Sequence, residues 1–600
     1  MGGTASRVRE GDAPSFDLAL NLIQRVCVGD ILTRTAQRYP TKTAVVDVHG
    51  GVLLTYAELN RRANRVGRAL LALGLGRQEK VAILARNMWQ FVVTYFACAK
   101  AGLVALPVNL GLKPQEIAYV LRDAGVRVIV AEGIFRPALE AAVAALPAVE
   151  RVFLTEVDPA TDTEVAGRRF QAFERLLDFE RLLEGPPAPP SGPLPPASPP
   201  GALAAAGPDG AHHLTGAGPD GVHRPTPGAF DPDADLEVFV DDRDIVQCLY
   251  TSGTTSMPKG VLTSHLAVTI TALSAAVTNR ADPDDVFLLV LPIFHCAALN
   301  AILIPTLLVG GTAVFLRKYD VRDVMDALER YRVTHVLLLP MMWQELIQQP
   351  DAGQRDFSSV RRCLYAMAPM APERIAEIRR FFPNADVVLG SGQTEFTPPT
   401  VFQRPHHQDT KPASWGLPTV MTDVRIMDDQ GNLLPRGQVG EIVYRGPQCM
   451  TAYWNNPEAT AEAFRHGWFH SGDVGWMDEE GVVWFTDRKK DMVKTGGENV
   501  ASIEVERALL AHPAVAECAV VGLPHERWGE AVTAFVLLKP GARAAEAELI
   551  AHCRERLAGF KVPKRVVFVD GFPRTGTGKI QKHVLRQEHQ GLYAGPAGHG

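Results

Sequence analysis

The run Ile245–Leu249 is largely apolar and passes without a break into YTSGTTSMPKG, Tyr250–Gly260. A short apolar stretch of that kind reads as a buried strand. The hydroxyls of Thr251, Ser252, Thr254, Thr255 and Ser256, with Gly253 and the closing Pro258-Lys259-Gly260, then stand on the loop that leaves it. Such a loop can turn backbone N–H groups, hydroxyls and an ammonium toward phosphate oxygens. It is not of the Walker type, which has Lys after the last Gly and then Ser or Thr. Here Lys259 precedes Gly260 and Val261 comes next. Standing alone, the string would serve equally as a Ser/Thr/Gly surface loop.

Helix and strand patterns alternate around this loop. TYAELNRRANRVGRALLALG, from Thr55, sets Leu59, Ala63, Val66, Leu70 and Leu73 at helical spacing and stops at Gly74. A strand Val81–Ala85 comes next, then a helix through FVVTYFACAKAG, a strand LVALPVN, a helix from Pro114 and a strand VRVIV. Strands separated by helices imply βαβ units and largely parallel sheets with both faces covered. The expected fold class is α/β. At 600 residues the chain also exceeds what one core supports. From about Asp487 it carries a separate pattern: a helix IEVERALLAHP, strands AECAVVGLP and AVTAFVLL, a helix AELIAHCRERLAG and a strand VVFVD. That is enough for a small α/β domain, with a frayed tail expected after Arg586.

Residues 185–235 break the pattern, with PPAPPSGPLPPASPP giving way to GPDGAHH and GPDGVHR. A stretch this rich in Pro, Gly and Ala cannot build a core. It is expected to be a disordered, passive insertion, with a PxxP ligand as the lesser alternative. The large domain is then residues 1–184 and 236–487, and the small one residues 488–600.

Net charge of −6, with 46% hydrophobic and 21% charged residues, describes a soluble globular protein with no nucleic-acid surface. The eight cysteines form no CxxC pair and sit singly, several in apolar runs, so neither a disulfide framework nor a zinc site is expected. The start, MGGTASRVREGDAPSF, lacks a signal-peptide core, and no apolar run is long enough to span a membrane. A cytoplasmic location is expected, with peripheral membrane contact left open.

Downstream of the loop stand GSGQTE (Gly390–Glu395), YRGP (Tyr444–Pro447), WFHSGDVGWMDEEG (Trp468–Gly481), DRKKDMVKTGGENV (Asp487–Val500) and PRTGTGKI (Pro573–Ile580). Together, and in this order, these strings resemble the adenylate-forming superfamily of acyl-CoA synthetases, aryl-CoA ligases, beetle luciferases and peptide-synthetase adenylation domains. The resemblance spans nearly the whole chain, from Asp30 to Arg586.

The resemblance implies ATP, Mg²⁺ and coenzyme A as cofactors and a small-molecule carboxylic acid as substrate. Thr251, Ser252, Gly253, Thr254, Thr255 and Lys259 would hold the β- and γ-phosphates. Thr394 would bond the α-phosphate, and Glu395, with Thr251, would supply oxygen ligands to Mg²⁺, a hard cation. Ala366, Ser391 and Gly392 fall where relatives hold adenine. Asp473 matches the ribose-binding carboxylate and Arg488 the nucleotide-contacting Arg. Lys579 is the implied catalytic cation, bridging carboxylate and α-phosphate from the small domain, which would move about a hinge at Lys490. In KTGGENV, Lys494, Gly496 and Gly497 are implied cofactor-binding residues, the glycines lining a pantetheine tunnel. His295 sits where relatives place a gating or pocket residue, although a buried structural His fits as well. Cys296–Ile304 and Met341-Met342-Trp343 could line an acyl pocket or belong to the core. Two positions depart from the family pattern: Ser256 stands for the usual Gly, and Ser391 for a Tyr that packs on adenine.

The favoured reading is a fatty acid–CoA ligase acting on medium or long chains. Alternatives are an aryl- or other carboxylate–CoA ligase and an acyl-AMP ligase feeding an acyl carrier protein. A binding scaffold without catalysis is the reading from another class.

Overall fold

The computed structural model describes residues 16–158, 160, 162–178, 233–251, 258–366, 370, 372–574 and 579–593. The expected insertion, from 185 to 232, and Ser252, Gly253, Thr254, Thr255 and Ser256 of the loop lie outside the described residues.

Each early element starts where its sequence provides a reason. Thr55 caps the helix Tyr56–Ala72: its hydroxyl accepts from Glu58 N at 3.2 Å, while the Glu58 carboxylate accepts from Thr55 N at 2.8 Å. That exchange satisfies two main-chain donors the helix cannot. The helix Trp89–Lys100 is buried along all twelve residues, as its nearly unbroken apolar sequence requires. It packs with Val28–Arg38 and Tyr56–Ala72 into a core that also takes residues from both large sheets.

Those two sheets have nine strands each. In one, Thr43–Asp47, Thr312–Phe315, Val286–Leu289, His335–Leu337, Arg362–Ala366 and Asp386–Ser391 pair in parallel. In the other, Ile245–Thr251, Val104–Pro107, Lys80–Leu84, Val128–Glu132, Arg151–Thr155 and Arg168–Ala172 do so. Helices on both faces bury these strands, as parallel pairing demands. Ligands of such folds meet the carboxyl ends of the strands. Here those ends deliver His295, Ala366, Ser391 and the loop after Thr251.

A four-stranded antiparallel sheet, Asp423–Met427, Gly440–Arg445, Phe469–Met477 and Val483–Arg488, completes the large domain. The small domain forms a five-stranded sheet around Val515–His525 and Gly529–Leu538, with the helices Ser502–Leu510, Glu546–Arg554 and Lys582–His589. Its first strand begins at Val493, past the start expected from sequence, because Arg488 still belongs to the four-stranded sheet. Lys489 pairs with Asp429, in the turn after the strand Asp423–Met427, and with Glu441 of that sheet at 2.7 and 3.1 Å, whereas Asp491 pairs with Arg586 of the small domain at 2.8 Å. Lys490 lies between the two fastenings.

The tail departs from expectation. It does not fray at Arg586: Leu592 and Tyr593 pack on the small-domain core, and the Tyr593 hydroxyl lies 2.9 Å from that of Thr533. Trp343 belongs to the core and not to a pocket, being fully buried with its indole N–H donating to the Leu364 carbonyl at 3.1 Å.

Beyond the insertion the chain is fastened at once. Asp235 accepts from Asn60 and Asn64 at 3.0 and 3.1 Å and pairs at 3.2 Å with Lys100, whose side chain is 3% exposed. Asp233 pairs with Arg65 at 2.7 Å. Asp235→Ala leaves the buried Lys100 ammonium its hydrogen bond to the Thr33 hydroxyl but no paired carboxylate, and should cost roughly 2–3 kcal/mol, below the range for a fully buried pair because Asp235 is partly exposed. Lys100→Met, which removes the charge and keeps the volume, should cost less. Both are read from denaturant midpoints at unchanged m.

Candidate active site

Thr394 and Glu395 occupy a single 3₁₀ turn, Thr394–Phe396, just after the strand Asp386–Ser391. The chain is tightly folded on both sides of this turn. A Cβ on Gly392 would stand 2.7 Å from that of Pro398, and Thr397 is held at φ 29°, a strained value for a β-branched residue. The Glu395 carbonyl accepts from Met450 N at 2.8 Å, and its carboxylate accepts from the Tyr453 hydroxyl at 3.1 Å. Buried Thr394 meets the Cys296 thiol, with Oγ1 and Sγ 3.2 Å apart.

Asp473 and Arg488 face each other across two antiparallel strands. Arg488 Nε lies 2.6 Å from Asp473 Oδ1, yet that oxygen has no aligned hydrogen bond. The contact is therefore a charge pair that leaves the carboxylate able to accept further donors. Asp473 is 3% exposed, and burial raises its pKa to about 6 against the pull of Arg488, Lys579 and Lys490, with repulsion from Glu395 adding to the rise.

Lys579 arrives from the small domain. Its loop is closed by an antiparallel bridge between Arg574 and Ile580 and by Gln581 N donating to the Pro573 carbonyl at 2.8 Å. Lys579 is exposed, yet protein surrounds it enough that desolvation, then repulsion from Arg488, lowers its pKa. Cys296, Asp473 and Glu395 oppose that shift, so Lys579 stands in the field of the same acids. His295 caps the short helix Cys296–Ala298, its Nδ1 accepting from Ala297 N at 3.3 Å. Burial, then Lys579, lowers its pKa to about 4. The ring is thus neutral at pH 7 with its proton on Nε2.

The structure accordingly brings together Thr394, Glu395, His295, Asp473, Arg488 and Lys579. Thr251 and Lys259 face each other at the base of the loop, as cross-strand partners. Ala366 pairs with Gly390 in the neighbouring strand, beside half-buried Ser391, whose carbonyl accepts from Thr400 N at 2.9 Å. Phe402 packs over Gly390, on the face opposite the Ser391 side chain, since side chains of consecutive strand residues alternate. Lys494, Gly496 and Gly497 make their contacts inside the small domain, Lys494 N with Glu530 and Gly496 N with the Trp528 carbonyl. Both glycines, at φ 60° and 87°, form the two-residue hairpin turn that requires left-handed backbone.

Glu395 is a half-buried hard donor with no salt bridge among the described residues, and such an acid fits Mg²⁺, which takes few protein ligands and keeps substrate phosphate oxygens. When bound there, the ion would neutralise charge on the phosphates. Tyr453 and the Cys296–Thr394 contact escaped sequence reasoning, because the partners lie 58 and 98 residues apart and no periodicity links them.

Residues 32–454 match the family described as AMP-binding enzyme, and residues 504–579 match the AMP-binding enzyme C-terminal domain. A feruloyl-CoA synthase of Amycolatopsis sp is 36% identical over 562 residues, covering 93% of this chain and 98% of the relative. The long-chain-fatty-acid–CoA ligase FadD13 of Mycobacterium tuberculosis is 31% identical, covering 94% and 98%. ATP-bound MatB from Rhodopseudomonas palustris aligns with a TM-score of 0.76 at 30% identity, covering 94% and 99%.

If Asp473 accepts hydroxyl donors as a carboxylate, nucleotide affinity should fall as pH drops through about 6, since protonation removes the acceptor. Asp473→Asn should bind more weakly at pH 8 and lose that dependence. Fluorescence titration with a nucleotide analogue from pH 5 to 8 measures both.

Proposed function

This chain belongs to the AMP-binding enzyme family and is an acyl- or aryl-CoA ligase that works through an adenylate with ATP, Mg²⁺ and CoA, and on that premise we propose that its acid substrate carries an uncharged, apolar tail. The observation that supports this reading is the make-up of the segments that follow the strands Val286–Leu289 and His335–Leu337. Leu291-Pro292-Ile293-Phe294 and Leu338-Leu339-Pro340-Met341-Met342 contain no cation to meet a second carboxylate. The fatty-acid reading keeps support from the FadD13 relative at 31% identity. An arylalkenoic acid has the stronger support, because the feruloyl-CoA synthase is 36% identical over the same 562 residues.

In this reading one oxygen of the acid attacks the α-phosphorus of ATP, the bond to the bridging oxygen breaks, and pyrophosphate leaves. Charge grows on the phosphoryl oxygens, so fixed cations matter more than a base. Lys579 supplies the mobile positive charge, Thr394 a hydroxyl for the α-phosphate, and Asp473 with Arg488 the seat for the ribose. His295, neutral with an Nε2–H, donates without adding charge. The CoA thiolate then attacks the acyl carbon and AMP departs.

Pyrophosphate–ATP exchange with hydroxycinnamates, octanoate, palmitate and malonate tests the substrate class. Hydroxycinnamates should give the largest rate and malonate background; malonate as the best substrate would end the apolar reading. Lys579→Ala should lower exchange on the order of 100-fold or more while sparing thioester formation from supplied acyl-adenylate. Equal loss of both half-reactions would remove Lys579 from its assigned role.

A further inference from the structure

The segment Met450–Trp454 touches Glu395 at two points and the strand Lys259–Ser264 along its length. Met450 N donates to the Glu395 carbonyl at 2.8 Å, and the Tyr453 hydroxyl donates to Glu395 Oε1 at 3.1 Å. Ala452 and Tyr453 pair with Leu262 and Val261 of the strand Lys259–Ser264, and Trp454 N donates to the Gly260 carbonyl at 2.7 Å. The Lys259 ammonium lies 5.2 Å from the centre of the Tyr453 ring, within cation–π range. A helix secures the segment from below. Asn456 caps Pro457–Ala463 by accepting from Ala459 N at 2.9 Å, and Thr460 of that helix accepts from Tyr453 N at 3.0 Å.

We propose that Tyr453 is the positioning residue of the metal–triphosphate site, orienting the Glu395 carboxylate with its hydroxyl and the Lys259 ammonium with its ring. Glu395 hangs from a three-residue turn and forms no salt bridge among the described residues, so little else in its surroundings fixes its side chain. A carboxylate has about four lone-pair sites, and one phenol donor occupies a single one, leaving the rest for a cation. An ordinary half-buried Tyr would satisfy its hydroxyl on a backbone carbonyl or on water. This one uses a carboxylate of the reacting cluster, and its ring lies beside a cation at the base of the phosphate loop. The proposal rests on the reading of Glu395 as a metal ligand.

The test separates hydroxyl from ring. Binding of a non-hydrolysable ATP analogue is measured by titration calorimetry with and without Mn²⁺, on wild type, Tyr453→Phe and Tyr453→Leu. Tyr453→Phe should weaken Mn²⁺-dependent binding roughly 10- to 100-fold, the usual effect of losing the partner of a metal-binding carboxylate. Metal-free binding and thioester formation from supplied acyl-adenylate should be unchanged. Tyr453→Leu should weaken metal-free binding as well, because Lys259 loses the ring. In a double-mutant cycle, Tyr453→Phe should add nothing to Glu395→Gln. Wild-type metal-dependent binding in Tyr453→Phe, equal loss with and without metal, or additivity in the cycle would each overturn the proposal. Wild-type binding that ignores Mn²⁺ would instead reject Glu395 as a metal ligand.

Discussion

A carboxylate almost wholly removed from solvent is the constraint around which the site is organised. Burial raises the pKa of Asp473, and three cations work against that: Arg488 beside it in its own sheet, Lys579 from another domain, and Lys490. Their balance leaves it titrating near neutrality. The antiparallel register fixes Arg488 opposite Asp473 and makes one cation permanent. Lys579, by contrast, comes from a separate folding unit. The same ammonium helps keep His295 neutral, so one lysine influences an acid and a base together.

Much of the architecture was legible because its elements are locally determined. The helix Tyr56–Ala72 begins at a Thr-x-x-Glu cap, and the wholly buried Trp89–Lys100 could only be the centre of a layered core. Repeated helix–strand alternation leaves few folds other than covered parallel sheets. The boundary at Arg488 was less legible. One continuous polar stretch, DRKKDMVK, serves both domains, and only pairing partners reveal which residue belongs to which. The tail was misread because Leu592 and Tyr593 look like isolated apolar residues until the sheet they cover is known.

The site divides in the same way. Residues within motifs, such as Glu395, Asp473, Arg488 and Lys579, announce themselves by composition and order. Their supports do not. Cys296 against Thr394 and Tyr453 against Glu395 are tertiary facts, created where strand ends from different parts of the chain converge. Trp343 was open in sequence between an acyl pocket and the core, and it is burial, with the indole N–H donating to a backbone carbonyl, that decides for the core.

The fastenings either side of Lys490 have a mechanical corollary. With Lys489 tied to one body and Asp491 to the other, any reorientation must be absorbed by the few torsions around a single residue. Such a motion would be a swivel about one residue, and it would have to release the hydrogen bond from Ser502 N to the Asp487 carboxylate, which joins the helix Ser502–Leu510 to the strand Val483–Arg488. It would also disturb two main-chain bonds, from Asp491 N and Met492 N to the Arg488 carbonyl, while the ion pair with Arg586 could turn with its own body. At about 1 kcal/mol for each main-chain bond and roughly twice that for the one to a carboxylate, the threshold is a few kcal/mol. Which orientation prevails is thereby left to whatever molecule fills the space between the lobes.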